Sequence, residues 1–348
     1  MENKTNLTKL GVMQKRFNIE FNKHWIDFLK KCDKNMSRAT QLNIGNHTRP
    51  LLVYLGATAN SDFNNTAVIE ETAQLAVSIE AIHKASVIID DIIDGDSLRR
   101  GEKCMHQEFG EYETIFFAVC MLALGIEKIN IMLDSKKIDV LHATIISLLC
   151  NTIYEMCHGA IMEITSDSEK QTNLEYIQEI INSETIKLIE NSLYIGFLYT
   201  GSENKKAGDI IRRIGKKCGY IFQVMNDLEA FCNPQHIIAY KGNLNTDFLR
   251  SRKNIILPYL YHACSKSDKK QLLSLLNGDE LSYSNAHKLF VKYNIKDVIC
   301  RDIDEIYTSL FSEITSFKPE ICNSQWTEIF NTYLNYSKAK YLSILNVL

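Results

Sequence analysis

The sequence predicts an all-α protein built as one large helical domain. Only four prolines occur among 348 residues, so long stretches are free of helix breakers. Apolar residues recur at helical spacing in segment after segment, and strand-like alternation is scarce. A bundle of about 10–14 helices is expected, several of them apolar around most of their circumference, as central helices are.

Residues 1–20 read as a polar N-terminal segment, and 21–348 as the single helical domain. TAVIEETAQLAVSIEAIHKASVIIDDIID sets Ile69, Ala73, Ala76, Val77 and Glu80 on related faces, then Ile82, Ala85 and Ile89. YETIFFAVCMLALGIEKINIML, VLHATIISLLCNTIYEMCHGAIMEI, LEYIQEIINSETIKLIENSLYIGFLY and KKAGDIIRRIGKKCGYIFQVMNDLEAF carry the same period. NSDFNN, TSDSEKQTN, GSENKK and NPQHIIAYKGNLNTD read as loops between them. Beyond residue 265 the chain stays helical in character but polar, as a peripheral helix pair would be.

Composition narrows the function classes. The chain is 45% hydrophobic and 23% charged, with a formal net charge of -3, so bulk attraction to nucleic acid is not expected. No charged n-region leads into an apolar h-region, and no uninterrupted apolar run reaches the roughly 20 residues of a membrane span. Ten cysteines are dispersed without a CxxC pair, a pattern that suits free thiols in a reducing cytoplasm.

The densest chemistry lies in IIDDIIDGDSLRRG, residues 88–101. On a helix, Asp90 and Asp94 are four apart and Asp91 and Asp94 three apart, so all three share a face. Like charges this close repel unless a cation joins them. Oxygen ligands without histidine or thiolate suit Mg²⁺, which is commonly shared with substrate phosphates. Gly95 is the expected helix stop. Arg99 and Arg100 follow, and arginine's planar fork suits phosphate oxygens. The alternative is a solvated acidic turn with ordinary ion pairs. IFQVMNDLEAF, residues 221–231, is a second polar cluster in an apolar helical run. Its candidates are Gln223, Asn226, Asp227 and Glu229, which must be paired or bound to metal if buried. A plain polar patch is the alternative there.

These two stretches resemble the trans-isoprenyl diphosphate synthase family, and more widely the class I all-α isoprenoid synthase bundle around a central cavity. DDIIDGDSLRRG resembles the family's first aspartate-rich motif with its arginine pair and glycine, and RRGEKCMHQEFG extends the match. NHTRP sits where the family has a glycine-, lysine- and arginine-rich segment, FQVMNDLEA where it has FQxxDDxxD, and DFLRSRKNIILP where it has a basic segment ending in LP. The resemblance covers roughly residues 40–265.

The resemblance implies prenyl transfer. An allylic diphosphate would be held through Mg²⁺ by Asp90, Asp91, Asp94 and Asp227, with Asn226 and Glu229 as further metal ligands and about three ions around the bound diphosphate. Arg99 would hold its phosphates, while Arg49, His83 and Arg100 match positions that hold isopentenyl diphosphate. Gln223, Arg252 and Lys253 complete the expected substrate contacts. Ala85 and Ser86, five and four residues before Asp90, fall at the floor of the product pocket, and their small side chains favour a C20 product. His106 and Glu163 are expected near the same ligands. Phe222 and Phe231 read as core or cavity wall, and His236 and His262 as surface.

Departures from the family pattern are specific. Asn46 and His47 stand where the family has lysine and arginine, Glu184–Thr185 where it has Lys-Thr, and Ala230 at the end of the second motif; Lys187 is a possible stand-in one turn on. Three readings stay open: an active synthase, a class I terpene synthase that ionises and cyclises one prenyl diphosphate, and a non-catalytic subunit of a heteromeric synthase. A homodimer is the expected assembly.

Overall fold

The computed structural model describes residues 2–38, 42, 45, 47–134, 139–201, 204–232, 235, 238–239, 254–277, 283–317 and 323–345. Among them are fifteen α-helices, thirteen of eight residues or more, which is the bundle the period of the apolar residues predicts. The helices are α1 (Glu2–Cys32), α2 (Thr48–Ala57), α3 (Thr66–Asp94), α4 (Met105–Phe109), α5 (Glu111–Asp134), α6 (Asp139–Ile164), α7 (Ser168–Gln171), α8 (Leu174–Ile181), α9 (Lys187–Tyr199) and α10 (Lys205–Cys232). The C-terminal part adds α11 (Ile256–Ala263), α12 (Lys266–Asn277), α13 (Tyr283–Lys292), α14 (Ile295–Phe317) and α15 (Trp326–Leu345). The peripheral pair expected after residue 265 is α12 and α13, joined by Lys292 to Asp268 at 2.6 Å.

Two expectations need correction. The boundary expected after residue 20 falls inside α1, and Leu10, Met13, Phe17 and Phe21 are all buried along one side of it. A narrow apolar stripe on a polar helix lowers the average composition without preventing burial. The second concerns apolar length. Glu111–Asp134 and Leu141–Ile164 are each long and apolar enough to cross a membrane by length and composition, and only 28% of each apolar window is buried within the chain. Isolated polar residues such as Glu127 and Asn151 interrupt the runs and hide this from a search for continuous apolar sequence.

The core is organised around α9, which packs against α2, α3, α6 and α10. The α2–α9 crossing is backbone on backbone. A Cβ at Gly56 would lie 1.9 Å from the Leu193 carbonyl oxygen, and one at Gly196 would lie 1.9 Å from that of Val53. Each helix contributes the glycine that the other requires. The C-terminal helix closes the bundle: Trp326, fully buried, donates from Nε1 to the Leu55 carbonyl at 2.6 Å. Between α8 and α9 the chain makes a π-helical turn, Asn182–Ile186. Such turns are rare and displace side chains relative to a regular helix. Here Ser183 and Glu184 press against Gly159 of α6, within 2.9 Å of where its Cβ would stand.

Candidate active site

Helix α3 carries the site. Asn65 caps its start, accepting from the amides of Ala67 and Val68 through Oδ1. It ends at Asp94, with Gly95 in the left-handed region at φ 62°, as expected of a helix stop. Asp90 and Asp94 are half-buried on the last two turns and Asp91 is buried. A short hairpin follows, β1 (Leu98–Arg99) paired antiparallel with β2 (Glu102–Lys103). Arg100 and Gly101 form its two-residue turn, both with positive φ, the pattern of a type I′ turn.

The hairpin separates its two arginines. Arg99 turns back to the end of α3, where Nε donates to Asp91 Oδ1 at 2.7 Å. Its Nη2 also bonds Asp91 and lies 3.4 Å from Asp96 Oδ2. Asp96 is fully buried and orders this turn, as its place after the motif implies. Cys104 packs beside the same group. Burial first, then the Asp91 and Asp96 carboxylates, push its thiol up to about 12, so it stays protonated. Arg100 goes the other way and lies against Gly45, with Nη1 2.6 Å from where a Cβ would be.

Among the described residues no three potential metal ligands converge into a closed cluster. The donor set nevertheless fits Mg²⁺. That ion rarely uses an all-protein cage and is usually held by one or two carboxylates plus substrate phosphates. Asp90, Asp91 and Asp94 on one helix end are such a set.

About two turns, or roughly 10 Å, before Asp90 on α3 lies a side-chain cluster of opposite character. Arg49, on α2, is buried and its Nη1 is 3.1 Å from His83 Nε2. Burial, then the Arg49 charge, depress His83 well below its usual value, so the imidazole is neutral and Nε2 accepts. Burial holds Arg49 down to about 10 against the pull of Glu80, which leaves it charged at neutral pH. Its guanidinium also sits 5.6 Å from the Phe222 ring of α10, a cation–π contact. Glu80 is 2% exposed, with Oε1 3.5 Å from His47 Nδ1 and 3.9 Å from Lys84 Nζ. Burial alone would raise the Glu80 carboxyl. The His47 imidazole, 3.5 Å away, and the Lys84 ammonium outweigh it and bring the carboxyl down to about 2. Burial lowers Lys84 to about 8, with Glu80 opposing and Arg100, Arg49 and Arg99 adding to the effect. Sequence reading did not single out Lys84. The available signal was two charged residues four apart, Glu80 and Lys84, inside an apolar helix.

On α10 the second motif divides by depth. Asp227 is buried, and its two oxygens accept from Gln223 Nε2 and the Ile255 amide, each at 2.9 Å. Gln223 Oε1 in turn accepts from Thr185 of the π turn at 2.8 Å. This chain of bonds ties the π turn, α10 and α11 together. Asn226 is exposed and Glu229 half-buried, three apart on a different side of the helix.

The remaining expected residues scatter. Ala85 is fully buried and lies four residues from Ala81, which meets Gly125 of α5. Ser86 is half-buried, and its hydroxyl donates to the His83 carbonyl at 2.9 Å. His106 and Glu163 are buried, whereas His262 is exposed. Phe231 is core, stacked on Phe290 at 4.7 Å. Glu184 and Lys187 are half-buried at the π turn. Asn46, His236, Arg252, Lys253 and the Ala230 side chain lie outside the described residues.

The polyprenyl synthetase family model matches residues 32–293. The chain is 26% identical over 251 residues to a short chain isoprenyl diphosphate synthase of Methanocaldococcus jannaschii, covering 72% of this chain and 73% of that protein. It is 27% identical over 236 residues to heptaprenyl diphosphate synthase component 2 of Bacillus subtilis, covering 68% and 62% respectively. A polyprenyl synthase structure from Caulobacter crescentus, complexed with calcium and isoprenyl diphosphate, superposes with a TM-score of 0.73 at 16% identity, over 99% of this chain and 97% of that one. At that identity the superposition speaks for the fold, and the family match speaks for a prenyltransferase type of chemistry. The chain belongs to the polyprenyl synthetase family, the trans-isoprenyl diphosphate synthases.

Proposed function

We propose that this protein condenses isopentenyl diphosphate with an allylic diphosphate, giving a longer trans-prenyl diphosphate. One observation carries the proposal: α3 presents two sites of opposite charge, carboxylates at its end and a cationic cluster about two turns earlier. A carboxylate face suits a diphosphate held through Mg²⁺, and a buried cationic cluster suits one held directly. A reaction joining two diphosphates needs both, whereas ionisation of one substrate needs only the first.

Asp90, Asp91 and Asp94 would hold Mg²⁺, which supplies Lewis-acid stabilisation of the departing diphosphate. Arg99, already positioned by Asp91 and Asp96, would place the carboxylates and meet phosphate oxygens. The allylic C–O bond breaks with its electron pair leaving on diphosphate. The isopentenyl double bond attacks the allylic cation, a C–C bond forms, and a proton leaves the carbon next to the new centre. Arg49, His83 and Arg100 would orient the second diphosphate, and the apolar interior would keep water from the cation. Asn226, Asp227 and Glu229 would complete the metal face from α10, with Gln223, Arg252 and Lys253 toward the phosphates. Eight cysteines, Cys32, Cys104, Cys120, Cys150, Cys157, Cys218, Cys264 and Cys300, are free thiols.

The test is diphosphate release from C5, C10 and C15 allylic substrates with Mg²⁺, with and without isopentenyl diphosphate. Release that depends on isopentenyl diphosphate supports condensation. Release without it, with a hydrocarbon or alcohol product, supports the terpene synthase reading. Activity only with a second synthase present supports the subunit reading.

Two further expectations follow. Ala85→Phe fills the proposed pocket floor and should shorten the main product from C20, measured by mass spectrometry; an unchanged product distribution removes Ala85 from that role. For assembly, Tyr112, Phe116, Val119 and Ile131 of α5 and Tyr154 and Ile161 of α6 are exposed, with Phe116 at 69%. Large apolar side chains exposed on two neighbouring helices suit burial against a second copy. Phe116→Glu should convert a homodimer to monomer in light scattering, and a wild-type monomer would contradict the assignment.

A further inference from the structure

Asp227 is held from two directions. One lies within its own motif: Gln223, one turn earlier on α10, donates to one carboxylate oxygen at 2.9 Å. The other lies outside it: the second oxygen accepts from the Ile255 amide at 2.9 Å, at the start of α11. The amides of Ile255, Ile256 and Leu257 open that helix, and each has an acceptor. Ile256 donates to Asn254 Oδ1 at 2.9 Å and Leu257 to the Asn254 carbonyl at 3.3 Å, with Asn254 itself buried. The Ile255 amide is the one turned toward α10. Amides at a helix start carry the positive end of its dipole, which suits a carboxylate. Where that amide points is set by where α11 lies.

A second observation fixes α11 from farther along the chain. The helix packs against α8 and α14. Tyr259 stands one turn after Ile255, half-buried, and its hydroxyl donates to Asp302 Oδ2 of α14 at 2.5 Å. Burial, then this bond, push the Tyr259 hydroxyl above its usual range, so it stays a donor. Tyr220, seven residues before Asp227 on α10, interacts with the same hydroxyl. The family match ends at residue 293, so Asp302 lies beyond it. Extra support has a use here. Asn226 and Ala230 stand where the resemblance implies aspartates, which leaves Asp227 as the one aspartate of the second motif.

We propose that Tyr259 and Asp302 are positioning residues for Asp227, holding its carboxylate ready for a metal ion through α11 and the Ile255 amide. The inference rests on the metal role given to Asp227 in the condensation reading, and it brings a helix beyond the family match into the site. Asp302 fixes Tyr259, Tyr259 fixes the first turn of α11, and the Ile255 amide fixes the second Asp227 oxygen. With the Asp302 bond removed, α11 keeps its apolar packing, but the amide loses its exact aim and the carboxylate gains freedom to turn.

Electron paramagnetic resonance of Mn²⁺ bound to the full chain, with inorganic diphosphate present, tests this without turnover. Mn²⁺ stands in for Mg²⁺, and the ion held by Asp227 is the one whose binding weakens in Asp227→Asn. Tyr259→Phe, which removes one oxygen, and Asp302→Ala should each weaken that ion by about 10-fold, as loss of an outer partner of a ligating carboxylate does. Asp302→Asn keeps an acceptor for the Tyr259 hydroxyl and should stay within about twofold of wild type. Hydrogen exchange in a peptide covering Ile255 should quicken in the first two variants and not in the third. Tyr293→Phe removes a similar phenol–carboxylate bond, to Asp268, between α13 and α12, and should leave Mn²⁺ binding unchanged. Wild-type Mn²⁺ binding in Tyr259→Phe or in Asp302→Ala overturns the inference. So does an Asp302→Asn as weak as Asp302→Ala, or an equal loss in Tyr293→Phe, which would mark a general loosening of the C-terminal helices. The two main variants reach the bond from opposite ends, so if one fails to fold the other decides. Wild-type Mn²⁺ binding in Asp227→Asn contradicts the metal role of Asp227 itself, a result read separately from the Tyr259 and Asp302 variants.

Discussion

Asp90→Asn is expected to lower kcat/KM by about 10³-fold while leaving the fold intact, the order of loss seen when a group stabilising transition-state charge is removed. The side chain keeps its size and loses the charge that would draw Mg²⁺ and, through it, the diphosphate. The effect on stability should be small or of opposite sign. Asp90, Asp91 and Asp94 crowd negative charge onto the C-terminal end of α3, where the helix dipole disfavours it and neighbours at helical spacing repel. A carboxylate kept there for structure would behave the other way, with activity and melting temperature falling together. Steady-state rates at saturating Mg²⁺ and thermal unfolding of the same preparations distinguish the two. Wild-type rates in Asp90→Asn would remove the carboxylate face from the reaction.

Gly196→Ala should have the largest effect on stability. The added Cβ would stand 1.9 Å from the Val53 carbonyl oxygen, and what it strikes is backbone that carries α2. Neither a rotamer change nor a flexible side-chain end can relieve that contact. The helices must separate, and α2 carries Arg49 into the cationic cluster. The cost is expected at about 3 kcal/mol or more, at the upper end of overpacking effects. The urea midpoint should fall accordingly, and residual activity should show a raised KM for isopentenyl diphosphate. Gly56→Ala meets the Leu193 carbonyl oxygen at the same distance and should behave alike. A variant as stable as wild type would show that the crossing tolerates separation.

Helix positions could be read from the sequence because local chemistry sets them. The segment from Thr66 to Asp94 carries an asparagine cap before it and a left-handed glycine after it, and its apolar period needs no knowledge of neighbours. The same holds for Glu111–Asp134 and Lys205–Cys232, whose limits follow the periodic residues to within a residue or two. What could not be read depends on partners distant in the chain. The burial of Leu10 and Met13 requires the packing of α1 on α3 and α15. The π turn at Asn182–Ile186 lies within an unbroken apolar period, and its helical neighbours on both sides conceal it.

The site divides in the same way. Three carboxylates at helical spacing beside two arginines can be recognised from local sequence. The resemblance already gives the two arginines different diphosphates, but the direction in which each turns is set by a two-residue hairpin and by the approach of Arg100 to Gly45, which local sequence does not reveal. Glu80 and Lys84 look like an ordinary helical ion pair until Arg49, His47 and Arg100 are brought beside them. Asp227 is similar. Its match to an aspartate-rich motif is local, but its bonds to Gln223 and the Ile255 amide depend on α11 returning to α10.

The central claim is that the carboxylates at the end of α3 and the cationic cluster before them act on two different diphosphates in one condensation. Mass spectrometry of products from Mg²⁺, isopentenyl diphosphate and each allylic diphosphate tests it most directly. The account predicts prenyl diphosphates longer than the allylic substrate by whole C5 units, formed by wild-type protein and lost in Asp90→Asn. Products of the same carbon number as the allylic substrate, formed equally well without isopentenyl diphosphate, would contradict it.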